Sequence, residues 1–186
     1  MSNNQWAIGT CSDLRHKNIE YSPDPDYLTK MKIDLLAIGD KMPVWVETGF
    51  NEYAHRLPTD SVLQLRQVRA VSRGKKPSIT KIIAEEEKRL RSAMPNSAHI
   101  VALDVMGKQW STPQLAKQLN FWRELGKPIA LVIGGADGLS PNLLSQAAQS
   151  WSLSPLTIPH YLVRVIVAEQ IYRAWSILNG HPYHRA

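Results

Sequence analysis

The chain has 186 residues, 44% of them hydrophobic, with 22 basic against 16 acidic side chains and a formal net charge of +6. That length suits one domain with a substantial core, and the lack of an apolar run near 18 residues or of a charged-then-apolar leader argues against a membrane span and secretion. A single cysteine, Cys11, excludes an internal disulfide and a multi-cysteine metal site and points to a reducing cytoplasm.

Residues 1–30 differ in character from the rest of the chain. Asn3-Asn4-Gln5, Pro23-Asp24-Pro25-Asp26 and scattered charges carry no helical or strand period, so an extended or poorly ordered leader is expected. It holds three basic and four acidic residues, which leaves +7 on the remainder. An excess of that size is compatible with a polyanionic partner such as RNA, although many basic proteins bind none. The folded domain is expected to run over residues 31–186.

Met31 opens a strand pattern through Ile38, ended by Gly39. Pro43 then starts a helix with Val46, Phe50, Tyr53 and Leu57 at helical spacing, and Pro58 stops it. Val62 to Val68 alternates apolar and polar residues, a half-buried strand. The loop Ser72-Arg73-Gly74-Lys75-Lys76-Pro77 is basic, and either grips phosphates or is simply solvated. Ser78 can cap a helix whose inner face carries Ile79, Ile82, Ile83, Leu90 and Met94.

His99 to Leu103 reads as a third strand, followed by Asp104. Ser111-Thr112-Pro113-Gln114 is a helix start with the spacing of a capping box, Leu115, Leu119 and Trp122 form its buried stripe, and Gly126 closes it. Ile129 to Ile133 is apolar without interruption, the pattern of a central parallel strand covered on both faces. Its exit, Gly134-Gly135-Ala136-Asp137-Gly138, is either a ligand loop at the carboxyl end of a strand or only a tight turn. It is neither a dinucleotide fingerprint nor a P-loop. Ser140-Pro141 begins a helix expected to reach about Gln149.

Trp151 to His160 alternates like a strand but contains Pro155 and Pro159, so it reads as part strand and part loop, or as an edge strand. Leu162 to Leu178 is the most apolar helix, buried on more than one side, in the core or against a second subunit. His181-Pro182-Tyr183-His184-Arg185 forms a polar, aromatic and cationic tail. Strand and helix alternate about five times, which predicts an α/β fold with a mainly parallel sheet flanked by helices.

Several of these pieces together resemble one family. They are Gly39 with Lys41-Met42-Pro43, Arg73-Gly74-Lys75, Leu103-Asp104 with Gly107-Lys108, Trp110 to Leu115, Ile133-Gly134-Gly135, Gly138-Leu139-Ser140, Trp151 to Pro159, and the tail. From Met31 to Arg185 the chain is similar to the RlmH family, bacterial ribosomal large-subunit RNA pseudouridine-N3 methyltransferases of the SPOUT superfamily. The leader has no counterpart there. Where many members have Gly-Gly-Pro-Glu-Gly, this chain has Gly134-Gly135-Ala136-Asp137-Gly138, keeping an acid on a shorter side chain.

The resemblance implies a trefoil knot near the C-terminus, a homodimer with active sites at the subunit interface, and S-adenosylmethionine as methyl donor. The donor contacts carried over are Leu103, Gly135 and the segment Ser154, Pro155, Leu156, Thr157, Ile158 and Pro159. Prolines there leave main-chain groups outside a sheet ladder, open to an adenine edge, and the glycines are expected to admit the donor close to the main chain. The substrate is expected to be 23S ribosomal RNA in the assembled ribosome, methylated at N3 of a pseudouridine. That nitrogen carries an imide proton, so the site must remove the proton or stabilise the anion while aligning nitrogen, methyl and sulfur. His184 is the candidate for removing it, Arg185 for stabilising the anion or clamping phosphate, and Tyr183 for stacking on the nucleotide. Read without the family, the same tail is a frayed chain end.

Arg73, Lys75, Lys76 and Arg164 are the candidate RNA contacts. Arg164 equally suits a subunit interface or an ion pair with Glu169. His160, His181 and His184 fit no standard zinc spacing, and no metal is expected. Two rivals remain: a non-catalytic RNA-binding ribosome assembly factor of the same fold, and another nucleotide-binding α/β protein that takes ATP or NAD.

Overall fold

The computed structural model describes residues 30–39, 41–74 and 78–185. The leader before residue 30, Cys11 within it, and the loop residues Lys75 and Lys76 lie outside the described residues.

Five strands form one sheet: β1 (Met31–Ile38), β2 (Ser61–Val68), β3 (His99–Gln109), β4 (Ile129–Ile133) and β5 (Gln149–Ser152). All pairings are parallel and the order is β2-β1-β4-β3-β5. Parallel neighbours require crossovers, which are supplied by α1 (Val44–Ala54), α2 (Ile79–Ala93), α3 (Thr112–Glu124) and α4 (Pro141–Gln146), with α5 (His160–Leu178) following β5.

Side chains alternate across each strand, so the sheet feeds two cores. Leu35 and Leu131 face one with Phe50, Leu119, Trp122 and Ile171 from α1, α3 and α5. Leu36 and Val132 face the other with Leu90 and Leu143 from α2 and α4. Every residue of β4 is buried, as its unbroken apolar run predicts. Asp34 on β1 is a buried charge within this apolar filling, and it is met by Arg66 of β2 at 2.7 Å.

Three boundaries differ from expectation. β3 does not stop at Leu103 but continues to Gln109, with an irregularity in which Trp151 pairs with both Leu103 and Lys108. The intervening residues bulge outward, and Asp104 Oδ1 accepts the Met106 amide at 2.8 Å to hold the bend. Gly107 allows it: a Cβ there would lie 2.8 Å from the Ser150 main chain. α4 ends at Gln146 because Gln149–Ser152 is taken into the sheet as edge strand β5 beside β3. α5 starts at His160, two residues early, directly after Pro159. At α2 two expectations are corrected, since Ser78 makes no side-chain capping bond and Ile79 is exposed; at α3 the signal holds, Ser111 Oγ accepting the Gln114 amide at 3.4 Å while Gln114 Oε1 accepts the Ser111 amide at 2.8 Å, a complete capping box.

Candidate active site

The carboxyl ends of β3, β4 and β5 open onto a cleft of about 250 Å³. Leu103 comes from β3, Gly135 from the β4 exit, and Ser154, Leu156, Thr157 and Ile158 from the irregular segment between β5 and α5. Six of the eight residues carried over as donor contacts therefore converge from three stretches of chain. Pro155 and Pro159 flank the cleft without lining it.

The segment is braced by its own serines. Ser152 Oγ donates to the Ser154 carbonyl at 3.1 Å, and Ser154 Oγ accepts the Leu156 amide at 3.0 Å. The Pro159 carbonyl accepts the Val163 amide at 3.1 Å in the first turn of α5. Three main-chain groups, the Ser154 carbonyl, the Leu156 amide and the Pro159 carbonyl, are thus committed within the protein, none of them in a sheet ladder.

The glycine loop also works differently from expectation. A Cβ on Gly134 would lie 2.4 Å from the Gly138 carbonyl carbon and 2.5 Å from its oxygen, and one on Gly135 would lie 2.4 Å from Glu86 Oε2. The bare Cα atoms of both therefore face protein, and they permit the loop to close on itself and on α2. Gly138, with φ of +82°, completes the turn, its amide donating to the Gly135 carbonyl at 3.0 Å. Asp137, the shortened acid, pairs with Arg73 at 2.5 Å, tying the basic loop to the glycine loop.

Reading by family motif missed Asp104, Val105, Trp151, Leu153, His160 and Val163, all of which line the cleft. Asp104 was visible as the acid following a strand, and His160 as the residue after Pro159. The lining is chemically suited to S-adenosylmethionine. Apolar Leu103, Ile133 and Ile158 fit the faces of a purine, and the Asp104 carboxylate suits ribose hydroxyls or a sulfonium cation. Leu156, 72% exposed, stands at the rim as apolar surface open to a ligand face.

His160 is held below the ordinary histidine range, chiefly by burial and next by the neighbouring Arg164 charge, with Glu86 opposing. Arg164 itself is fully buried, and its Nη2 donates to the carbonyls of Ile38 at 3.0 Å and Gly39 at 3.1 Å. It thereby holds the β1 exit. Glu169 pairs instead with Arg173, at 2.6 Å.

The tail is a packed 3₁₀ turn, Pro182–Arg185, not a frayed end. The Tyr183 ring lies 4.8 Å from that of Tyr172, with the Arg173 guanidinium 4.9 Å from its centroid. Burial first, then Tyr53 and Glu169, push the Tyr183 phenol up to about 12, so it is a protonated donor at neutral pH, and it donates to Glu169 Oε1 at 3.2 Å. His184 Nδ1 lies 2.5 Å from the His181 carbonyl oxygen. None of the three tail residues lines the cleft. The cleft meets the first turn of α5 and the tail follows its last, and nineteen helical residues span about 28 Å at 1.5 Å each. Beside the basic loop, Lys41, Arg69 and Arg89 border a shallow groove.

Comparison with known proteins places this arrangement. Residues 31–184 match the family described as "Predicted SPOUT methyltransferase". A curated relative, ribosomal RNA large subunit methyltransferase H of Hahella chejuensis, is 52% identical over 155 residues, spanning 83% of this chain and 99% of the relative. Among solved structures, a probable methyltransferase from Bordetella pertussis is 11% identical with a TM-score of 0.47, covering 80% of this chain and 98% of its own. The methyltransferase AviRb from Streptomyces viridochromogenes, in complex with AdoMet, is 13% identical with a TM-score of 0.40, covering 77% and 58%. By the span of the family match and the identity to a relative covered almost end to end, the chain belongs to the SPOUT methyltransferases.

Proposed function

We propose that this chain is an S-adenosylmethionine-dependent ribosomal RNA methyltransferase acting on N3 of a pseudouridine in 23S RNA of the assembled ribosome, as a cytoplasmic homodimer. The name of the 52% identical relative supports the substrate class. The same reading includes a trefoil knot around the Ser154–Pro159 segment.

The observation that carries the homodimer is the separation of cleft and tail along α5. Both sets of residues belong to the expected chemistry, yet the tail packs on Glu169, Tyr172 and Arg173, further along α5 than the cleft-lining His160 and Val163, and none of its residues lines the cleft of its own chain. One chain folded this way does not bring its own His184 to its own cleft. A second copy packed against α5 does, with the tail of one protomer closing the cleft of its partner.

S-adenosylmethionine supplies an activated methyl group and needs no metal. The protein's part is to hold the donor by Leu103, Gly135 and the 154–158 loop, to position the base in line, and to handle the imide proton. Tyr183, its hydroxyl held by Glu169 and its ring braced by Tyr172 and Arg173, offers a rigid aromatic edge to a nucleotide. Arg185 offers charge to the imide anion or a phosphate. Arg73, Lys75 and Lys76, with Lys41, Arg69 and Arg89 of the adjoining groove, supply the cationic surface that an RNA backbone requires.

Mixed dimers test the arrangement. His184→Ala and Gly135→Val homodimers are each expected to be inactive, the first in chemistry and the second in donor binding. Mixing and re-annealing them leaves one intact composite site per heterodimer, and part of the wild-type transfer to ribosomes returns. No recovery from a verified heterodimer population would overturn the composite site.

A further inference from the structure

Beside the donor cleft, at the carboxyl ends of β1, β2 and β4, a second cleft of about 220 Å³ is lined by Gly39, Val71, Glu86, Gly135, His160 and Arg164 among others. The two clefts share Gly135, Ala136 and His160 as a common wall. Charged side chains in the second are buried and incompletely satisfied. Arg164 uses Nη2 on two carbonyls, but its Nε and Nη1 are buried without a partner. Glu86, 4% exposed on α2, accepts the Val71 amide on Oε1 at 3.2 Å and leaves Oε2 without one. Unpaired buried polar atoms are rare in folded proteins and call for a specific explanation, of which a ligand or a functional field is one.

We propose that this second cleft seats the acceptor base, a pyrimidine imide, and that His160 on the shared wall is the catalytic base that takes the N3 proton. The inference rests on the methyltransferase reading and adds to it the place of the acceptor. A pyrimidine imide presents carbonyl, N–H and carbonyl in a row, which a guanidinium donor and an imidazole acceptor complement.

His160 is suited to the role by its surroundings. Arg164 and Tyr161 approach from its own helix, Glu86 from α2, Arg73 from the loop after β2, and Asp104 from β3. His160 is surface-exposed at the cleft rim, yet desolvation against the wall and the Arg164 charge lower its pKa over the opposing Glu86, and its position in the first turn of α5 acts the same way, which favours the unprotonated ring at neutral pH. In the step, the N3 proton passes to the free ring nitrogen and the N3 electron pair forms the bond to the methyl carbon. The carbon–sulfur bond breaks with its pair going to sulfur, leaving a neutral thioether, and the imidazolium returns its proton to solvent. His184 of the tail is then left to orient or shield the base.

Two variants test this on full-length dimer with ribosomes lacking the methyl mark. His160→Gln keeps a polar side chain but cannot cycle a proton. Its transfer rate is expected to fall about 100-fold or more, with S-adenosylmethionine affinity by calorimetry within about twofold of wild type. The acid limb of the wild-type rate–pH profile, lying below the ordinary histidine range, is expected to vanish. Val71→Phe fills the second cleft with a residue that does not line the first, so transfer falls more than tenfold while donor affinity holds. An unchanged rate in either variant, a persisting acid limb in His160→Gln, or a donor affinity that falls in parallel with rate would overturn the proposal. Wild-type protein that fails to methylate ribosomes would instead overturn the functional reading beneath it.

Discussion

Replacing Gly134 by alanine probes the glycine loop through its tightest contact. The added Cβ would stand 2.4 Å from the Gly138 carbonyl carbon, 2.5 Å from its oxygen and 2.7 Å from the Leu139 nitrogen. All three are main-chain atoms, so relief requires the turn from Gly135 to Gly138 to open and its 3.0 Å hydrogen bond to be lost. Overpacking of this kind costs about 1–3 kcal/mol. If the loop stays closed, the cost falls on global stability as a drop in Tm of about 2–12 °C. If the loop opens, it falls on donor binding, as roughly 5- to 150-fold weaker S-adenosylmethionine affinity. Calorimetry and thermal unfolding on the same sample measure both parts, whose sum must reach about 1 kcal/mol. Gly74→Ala is the control, since a Cβ there meets nothing within 4 Å, and its effect is expected within about 0.5 kcal/mol. A Gly134→Ala protein indistinguishable from that control in both measurements would refute the loop geometry.

Other perturbations address separate parts of the molecule. Gly135→Val drives a branched side chain into Glu86 Oε2 and displaces the wall that Gly135 gives to the donor cleft, so calorimetry is expected to show no donor binding while sedimentation still shows dimer; retained affinity would move the pocket elsewhere. His184→Ala is expected to depress transfer to ribosomes about 100-fold while donor affinity stays level, and full activity would remove that histidine from the chemistry. At Glu87, burial raises the carboxyl pKa but hydrogen bonds from Ser140, Arg91 and Asn142 together outweigh it and hold the value below the ordinary one. A lowered folded-state pKa gives stability that is present above the unfolded value and lost as pH falls through the folded one. The stability gap between wild type and Glu87→Gln in urea is therefore expected at neutral pH and to close in acid, and a gap that widens in acid would contradict this sign. Deleting residues 1–30 is expected to leave methylation of ribosomes intact, because the family match begins at Met31; an inactive truncation would give the leader a role.

Local signals in the sequence were legible wherever one physical cause acts alone. The unbroken run of β4, the alternation of β2 and the capping box at Ser111 each follow from side chains and their nearest neighbours, and each appears where expected. What escaped reading depends on partners distant in the chain. Gln149 continues a helical pattern by composition, yet sheet pairing with Val101 draws it into β5. In the fold Glu86 is buried against Gly135, and Glu87 accepts from Ser140 and Asn142 of the β4–α4 connection.

The candidate site divides along the same line. Of the donor contacts that the family resemblance implies, Leu103, Gly135 and four residues of the 154–159 segment line one cleft at the carboxyl ends of the strands. Arg164 reads in sequence as a surface cation, whereas in the fold it is buried and its Nη2 donates to the carbonyls of Ile38 and Gly39. The tail carried the right chemistry for a methyltransferase but, as placed by α5, serves no cleft on its own chain. That its residues line no part of the donor cleft of the same chain is visible only in the fold.

The decisive trial of the proposed activity is to incubate the purified protein with S-adenosylmethionine and ribosomes lacking the modification, then identify the methylated nucleotide by mass spectrometry. One added methyl is expected, on N3 of a pseudouridine of the large-subunit RNA. Binding of the donor with no methyl appearing on that nucleotide, or a methyl found on a different base, would contradict the assignment.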